Sequence, residues 1–231
     1  MHQQMLIASE TYVPPANDPY WANVSSLLHF DGNITDQKGK TWTAQGGAAP
    51  SAVQAKWGSG SLLCDGNGDY LSTPTNTDFN ITGGDFTVEF WLYLIDKDNS
   101  DGNVAACVGN SSGYWQVLVR DNNLYVNIRN SADSTFSTLN APQTLVNNSW
   151  HHWAWTRASG VNRVFYDGTS VGLTGSLPSS YTQATHAAYI GANYSGGTTS
   201  MHGYIDDLRI TKGVARYTSN FTPPVAPFPN S

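Results

Sequence analysis

Hydrophobic and polar residues alternate along several short segments of this chain. In residues 85–93, apolar side chains recur at every second position on one face of a strand: Phe86, Val88, Phe90 and Leu92. Comparable patterns cover residues 114–119, 123–129, 150–157, 162–166, 187–191 and 204–211, several of them joined by Gly or Asn turns. These patterns predict an all-β domain in which two antiparallel sheets form a sandwich of the jelly-roll type.

The two ends of the chain lack this alternation and are rich in proline. Residues 1–26 predict an extended N-terminal arm, residues 27–221 the jelly-roll domain, and residues 222–231 a Pro-rich C-terminal tail. The arm carries apolar side chains that would be exposed if they met no surface: Met5, Leu6, Ile7, Tyr20 and Trp21. Docking on its own domain and docking on a neighbouring subunit are both open, and the second predicts a homo-oligomer.

Composition and charge restrict the partners. The chain has 231 residues and a net charge of -6, and its 11 Lys and Arg form no cluster able to neutralise a run of phosphates, so a nucleic-acid partner is not expected. The sequence also predicts no membrane span and no signal peptide. Cys64 and Cys107 lie in apolar runs and are expected to be small buried residues rather than a disulfide.

Five motifs follow one another in an order that resembles a known family. They are residues 28–32 (LHFDG), 61–71 (SLLCDGNGDYL), 85–92 (DFTVEFWL), 149–154 (SWHHWA) and 203–217 (GYIDDLRITKGVARY). Together they resemble the laminin-G-like branch of the concanavalin A-like lectin and glucanase fold. The resemblance implies a concanavalin A-like jelly roll, and it specifies no ligand or reaction.

Two segments resemble domains carried by bacteriophage and prophage virion proteins, namely residues 18–24 and 211–217. This resemblance implies a structural protein on the virion surface, as a capsid decoration or a tail or fibre component, made in the host cytoplasm. Its partners would then be other virion proteins, copies of itself and host surface glycans. A stand-alone carbohydrate-binding module, an adhesion domain and a degenerate glycosidase are the alternatives.

The inventory of carboxylates argues against catalysis. Retaining glycosidases need two carboxylates about 5 Å apart, and this chain has only two glutamates, Glu10 and Glu89. Glu89 lies between Val88 and Phe90 and is expected to pair with a neighbour on the sheet surface. No catalytic residue is therefore predicted.

A calcium site is predicted from the resemblance. Laminin-G-like domains often hold calcium where the first and last strands meet, and Asp31 together with Asp206 or Asp207 matches that position. Adjacent strand residues point to opposite faces, so only one of the two aspartates is expected at the site. The alternative, which stays open, is that Asp207 pairs with Arg209 or caps a turn.

Carbohydrate binding is predicted at aromatic residues that flank loops. Saccharide sites combine aromatic rings with amides and backbone groups, which suggests Tyr114, Trp115, Asn193 and Tyr194. Packing in the core is the competing explanation; it is favoured for Trp115, whereas the Gly/Ser-rich surroundings of Tyr194 argue for exposure.

Overall fold

The computed structural model describes residues 17–81, 83–99, 102–178, 181, 183, 185–194 and 199–231. Two antiparallel eight-stranded sheets form a sandwich, which confirms the predicted fold class. Sheet A contains β1 (Val24–Leu28), β3 (Ala49–Ser51), β4 (Ser61–Asp65), β6 (Phe86–Leu94), β11 (Trp150–Ala158), β12 (Val161–Tyr166), β13 (Thr169–Ser170) and β16 (His202–Lys212). Sheet B contains β2 (Thr43–Gln45), β5 (Tyr70–Ser72), β7 (Asn103–Asn110), β8 (Gly113–Arg120), β9 (Asn123–Arg129), β10 (Phe136–Pro142), β14 (Thr174–Gly175) and β15 (Ala188–Ile190). Two short 3-10 helices span Trp21–Asn23 and Thr77–Phe79.

Strand order shows how distant segments meet. Sheet A runs β13-β12-β11-β6-β16-β4-β3, with β1 added beside β16, and sheet B runs β14-β10-β9-β8-β7-β15-β5-β2. The last strand, β16, therefore lies next to β6 and also pairs with the first strand. Most of β7 to β10 is built from consecutive hairpins, so the side chains of these four strands form one continuous surface.

The main core fills the space between the two sheets. The alternating residues of β6 supply it as predicted, with Phe86, Val88 and Phe90 at most 1% exposed. Trp115 from sheet B meets Trp155 from sheet A with ring centroids 5.9 Å apart. Large aromatic side chains from both sheets thus hold the two layers together.

The N-terminal boundary of the domain differs from the prediction. Strand β1 begins at Val24 instead of Leu27, and all five of its residues are buried against its neighbours. Asp18 is also buried, at 5% exposure, and Tyr20 and Trp21 lie in the turn and 3-10 helix that lead into β1. Residues 17–26 are therefore part of the domain, whereas residues 1–16, with Met5, Leu6 and Ile7, lie outside the described residues.

The C-terminal tail is also part of the domain. The Phe228 side chain is 4% exposed and packs with Val24, Leu27 and Trp21 in a small cluster separate from the main core. The backbone N–H of Asp18 donates to the carbonyl of Ser231, so the described N-terminal residues lie beside the tail. The prolines keep the tail extended without giving it a place in either sheet.

Candidate functional site

The outer face of sheet A contains a buried network of charged side chains. Glu89 is completely buried, and its carboxylate accepts hydrogen bonds from Arg209 Nε (2.9 Å) and the Tyr217 hydroxyl (2.7 Å). Asp18 accepts from Arg209 Nη1 (2.9 Å) and from Arg216 Nη2 (2.7 Å). Each carboxylate thus has two hydrogen-bonded cationic or hydroxyl partners, which offsets the cost of its burial.

This network determines the ionisation state of Glu89. Burial by itself would raise the pKa of Glu89, but the charge of Arg209, the contact with His152 and the charge of Arg216 outweigh burial and hold the pKa well below its usual value. The carboxylate therefore stays ionised and engaged, whereas a glycosidase acid needs a raised pKa. Glu89 does pair with neighbours as predicted, but at a buried position that segments 17–21 and 213–231 cover.

A bulge in β16 determines where the two adjacent aspartates point. The pairing with β6 shifts register between Asp206 and Arg209, and Asp207 has a φ of +48°. At this bulge β16 changes its second neighbour from β4 to β1. The expectation that the two aspartates face opposite sheet surfaces is wrong, because the bulge interrupts strand alternation and neither carboxylate enters the core.

Each of these two aspartates has its own partners. The Asp207 carboxylate pairs with His29 Nδ1 and accepts a hydrogen bond from the Phe228 backbone N–H (2.7 Å). The Asp206 carboxylate accepts from the backbone N–H groups of Lys56 (2.8 Å) and Trp57 (3.0 Å). Burial, together with the charge of Asp207, raises the pKa of Asp206 to about 7.

Each of the predicted calcium ligands has its own hydrogen-bond partners in the protein. Asp31 is exposed and accepts a hydrogen bond from the backbone N–H of Ser59 (2.6 Å), in the same loop whose Lys56 and Trp57 N–H groups donate to Asp206. Among the described residues, no group of three His, Cys, Asp or Glu side chains could hold a metal ion. Calcium needs six to eight oxygen ligands, so backbone carbonyls and water would have to supply most of them. Calcium stays a prediction that metal analysis can test.

The predicted carbohydrate residues separate into two groups. Trp115 is fully buried and its indole N–H donates to the carbonyl of Phe79 (3.2 Å), so the prediction is wrong for this residue. Tyr114 and Tyr194 do come together, with ring centroids 5.0 Å apart and a tilt of 34°. Asn193 is partly buried beside Tyr194, and its backbone N–H donates to the carbonyl of Thr199.

These two tyrosines belong to a larger aromatic surface on the outer face of sheet B. Tyr114, Tyr125, Tyr189 and Tyr194 are partly exposed and pack on a small apolar patch, and Tyr70 lies 6.1 Å from Tyr189. We call these five residues the tyrosine face. The patch beneath them consists of Val104, Cys107 and Leu118, which are at most 4% exposed. Burial raises the pKa of Tyr114 and Tyr189, which keeps both phenols protonated and able to donate hydrogen bonds.

Polar side chains adjoin the tyrosine face on β8, β9 and β10. Gln116, Asn127 and Thr138 lie opposite one another across these strands, and the Thr138 hydroxyl donates to Asn127 Oδ1 (2.7 Å). Arg129 pairs in register with Tyr114, and Asn140 with Tyr125. Arg129 Nε and Asn140 Oδ1 are buried atoms with no hydrogen-bond partner among the described residues. The surface thus offers rings, amides and a guanidinium together.

Strand alternation could have revealed this surface from the sequence. In β9 the inward residues Leu124, Val126 and Ile128 alternate with the outward residues Tyr125 and Asn127. The same alternation separates Tyr114 from Trp115, since adjacent residues on β8 face opposite sides. Tyr70 and Tyr189 were not predictable in this way, because the pairing of β5 with β15 joins positions far apart in sequence.

Comparison with known proteins places these observations in a family. A laminin G family model, described as concanavalin A-like lectin/glucanases superfamily, matches residues 65–216. The sequence has no match among curated proteins. Several solved structures share the fold at low sequence identity. One is domain 4 of AbnA, a GH43 extracellular arabinanase from Geobacillus stearothermophilus, in complex with arabinotriose; its TM-score is 0.65 at 17% identity, covering 84% of this chain and 94% of that one.

Toxin binding domains have the same fold. The binding domain of botulinum neurotoxin serotype D gives a TM-score of 0.67 at 12% identity, covering 86% of this chain and 50% of that one. The binding domain of Paraclostridial Mosquitocidal Protein 1 gives 0.64 at 13% identity, covering 84% and 50%. The chain therefore spans about half the length of these toxin domains.

In the described part of the chain, no helix is long and apolar enough to cross a membrane. Because the family model covers more than half of its residues, the chain belongs to the laminin-G-like family of the concanavalin A-like lectin/glucanases superfamily.

Proposed function

We propose that this chain is a non-catalytic saccharide-binding domain that uses the tyrosine face of sheet B. The observation that carries the proposal is the combination of five partly exposed tyrosines with amide and guanidinium groups on one continuous sheet surface. Sugar rings present apolar C–H faces that stack on aromatic rings, and their hydroxyls need donors and acceptors nearby.

The free donors and acceptors strengthen this proposal. Buried polar atoms in folded proteins are normally hydrogen-bonded, so the unpaired Nε of Arg129 and Oδ1 of Asn140 call for a partner, namely an ordered water or a ligand hydroxyl that these partly exposed side chains would turn to meet. Arg120 also lies over the Tyr125 ring, with its guanidinium carbon 5.3 Å from the centroid, which orders the edge of the surface.

The named solved structures support a binding role. One of them holds arabinotriose and the others are binding domains of toxins, and all share the fold with this chain at 17% identity or less. Arabinotriose and related neutral oligosaccharides are accordingly the first ligands to test. The absence of catalysis is part of the proposal and rests on the ion-paired state of Glu89. Reducing sugar released from β-glucans by the wild type, and not by Glu89→Gln, would contradict it.

A glycan array tests the binding role directly. The wild type should bind a subset of oligosaccharides, and Tyr114→Ala should weaken that binding by about tenfold, because truncating a central aromatic contact commonly costs more than 1 kcal/mol. Tyr20→Ala is the matched control, since Tyr20 is a 42% exposed tyrosine that packs against Arg216 beside sheet A. Equal loss of binding in both variants, or no binding by the wild type, would contradict the proposal.

The proposal also places the chain on a virion surface, because residues 18–24 and 211–217 resemble segments of bacteriophage virion proteins. In the folded chain these segments meet, since Asp18 pairs with Arg216 and the Arg216 guanidinium lies 5.3 Å from the Tyr20 ring centroid. Their shared structural role is to hold the segment before β1 against the segment after β16. Antibody detection of the chain on purified phage particles tests the location, and its absence from particles would contradict it.

The proposal also includes self-association of the chain through residues 1–16. A chain that starts at Asn17 keeps Asp18 and every contact of the network, so its melting temperature should be unchanged. Analytical ultracentrifugation should show weaker self-association for this truncated chain than for the full chain. A full chain that is monomeric at high concentration would contradict an assembly role.

A further inference from the structure

Three of the five lysines of this chain line a single depression at the edge of sheet A. Lys38, Lys40 and Lys212 surround a volume of about 320 Å³, together with Asp78 and the residues from Ala22 to Ser25. The depression lies beside β1 and the 3-10 helix Thr77–Phe79, whereas the tyrosine face lies on sheet B. It is a different surface from the proposed saccharide site.

Each ammonium group is held in place by one neighbour. Lys38 Nζ donates to the carbonyl of Trp21 (3.0 Å) and lies 4.2 Å from the centroid of that ring. Lys212 Nζ donates to the carbonyl of Thr77 (3.0 Å). Because an ammonium group has three N–H donors, these single contacts orient each group and leave donors for a ligand.

The charges that line the depression do not balance. Asp78 is the single acidic residue among those lining it, and its carboxylate pairs with Lys40 Nζ at 2.7 Å. Three positive charges against one negative charge leave a net charge of +2 on a chain whose net charge is -6. Like charges gathered in one concave surface raise the local concentration of an anion.

We propose that this depression is a binding site for a small oxyanion, namely a sulfate, phosphate or carboxylate group. Its volume lies at the lower end of the range for ligand sites, which suits one charged group or one charged sugar unit. A nucleic-acid strand does not fit, because such a strand needs a basic stripe that follows many phosphates. The proposal does not depend on the tyrosine face.

Calorimetric titration at an ionic strength of about 20 mM, where screening is weak, tests the site. Inorganic sulfate, inorganic phosphate, galactose 6-sulfate and galacturonate are the probes, and uncharged galactose is the reference. The wild type should bind at least one of the anions saturably and should not bind galactose at this depression. The probe that binds most tightly identifies the oxyanion class.

Variants separate this site from a general effect of charge. Lys212→Gln should weaken anion binding about two- to fivefold, the range expected for one partly exposed charge pair, and Lys212→Arg should restore it. Lys97→Gln removes the same charge from a lysine that pairs with Asp98 elsewhere, and it should leave the affinity unchanged. Equal weakening in Lys97→Gln and Lys212→Gln, or no saturable anion binding by the wild type, would overturn the proposal.

Discussion

Arg209 is the side chain whose removal should most disturb the buried network. Its guanidinium contacts Glu89 at 2.8 and 2.9 Å, contacts Asp18 at 2.9 Å, and lies 3.7 Å from the Phe228 ring centroid, with 6% of the side chain exposed. Arg209→Met keeps an unbranched chain beside the ring but removes the charge. Removing one partner from a buried ion pair costs about 3–5 kcal/mol, since a buried charge is left without compensation.

The expected loss is large enough to measure in two ways. For a domain of this size, a loss of about 3–5 kcal/mol lowers the melting temperature by roughly 6–20 °C. Urea unfolding followed by tryptophan fluorescence gives the same free energy independently. The double variant Glu89→Gln/Arg209→Met removes both charges, so its loss should be smaller than the sum of the two single losses.

The pH dependence supplies a further check. Glu89 has a lowered pKa in the folded wild type, so its stabilising contribution is present above the unfolded pKa of about 4.3 and is lost as the pH falls toward the folded value. In Arg209→Met the carboxylate loses its main counter-charge, so the deficit should be largest at neutral pH and should shrink as Glu89 protonates. A loss below about 1 kcal/mol at pH 7, with no pH dependence, would refute a buried and coupled network.

Three further predictions concern Asp206, Trp115 and the calcium ion expected from the sequence. Asp206 has a folded pKa raised to about 7, so it stabilises the fold below its unfolded pKa, and this contribution, up to about 4 kcal/mol, is lost as the pH rises through 7. The free energy of unfolding in urea should therefore fall from pH 4 to pH 8 in the wild type and fall less in Asp206→Asn, and an equal fall in both proteins would contradict this. Trp115→Ala should cost about 3–5 kcal/mol in urea unfolding, as expected for a fully buried ring, and a loss under 1 kcal/mol would contradict its place in the core. If the calcium predicted from the sequence binds, chelator should lower the melting temperature of the wild type but not of Asp31→Ala; an unchanged wild type without detectable metal removes the site.

Alternation and motif order were sufficient to predict the sandwich. The four inward residues of β6 lie in the core as their spacing predicts, and the first strand lies beside the last as the family resemblance implies. The inward positions depend on local sequence, which determines which face of a strand is apolar. The sequence did not reveal that the opposite face of β6 would also be buried, because residues 213–231 reach that face through long-range contacts such as the hydrogen bond between Tyr217 and Glu89.

The candidate site was predictable in part. The aromatic residues flanking loops led to Tyr114 and Tyr194, which do lie together, and to Trp115, which lies in the core as its competing explanation held. The bulge at Asp207 was not predictable, since strand alternation assumes an uninterrupted ladder and a bulge adds one residue to it.

A titration of the isotopically labelled chain with the saccharide that the array selects tests the central claim most directly. Backbone amide signals in nuclear magnetic resonance spectra report which surface the ligand contacts, whatever the affinity. The account predicts that saturating ligand shifts the signals of β7 to β10 and β15, around Tyr114, Tyr125 and Tyr189, and leaves the network around Glu89 unchanged. Shifts confined to sheet A, or a saccharide complex that leaves the tyrosine face unperturbed, would contradict it.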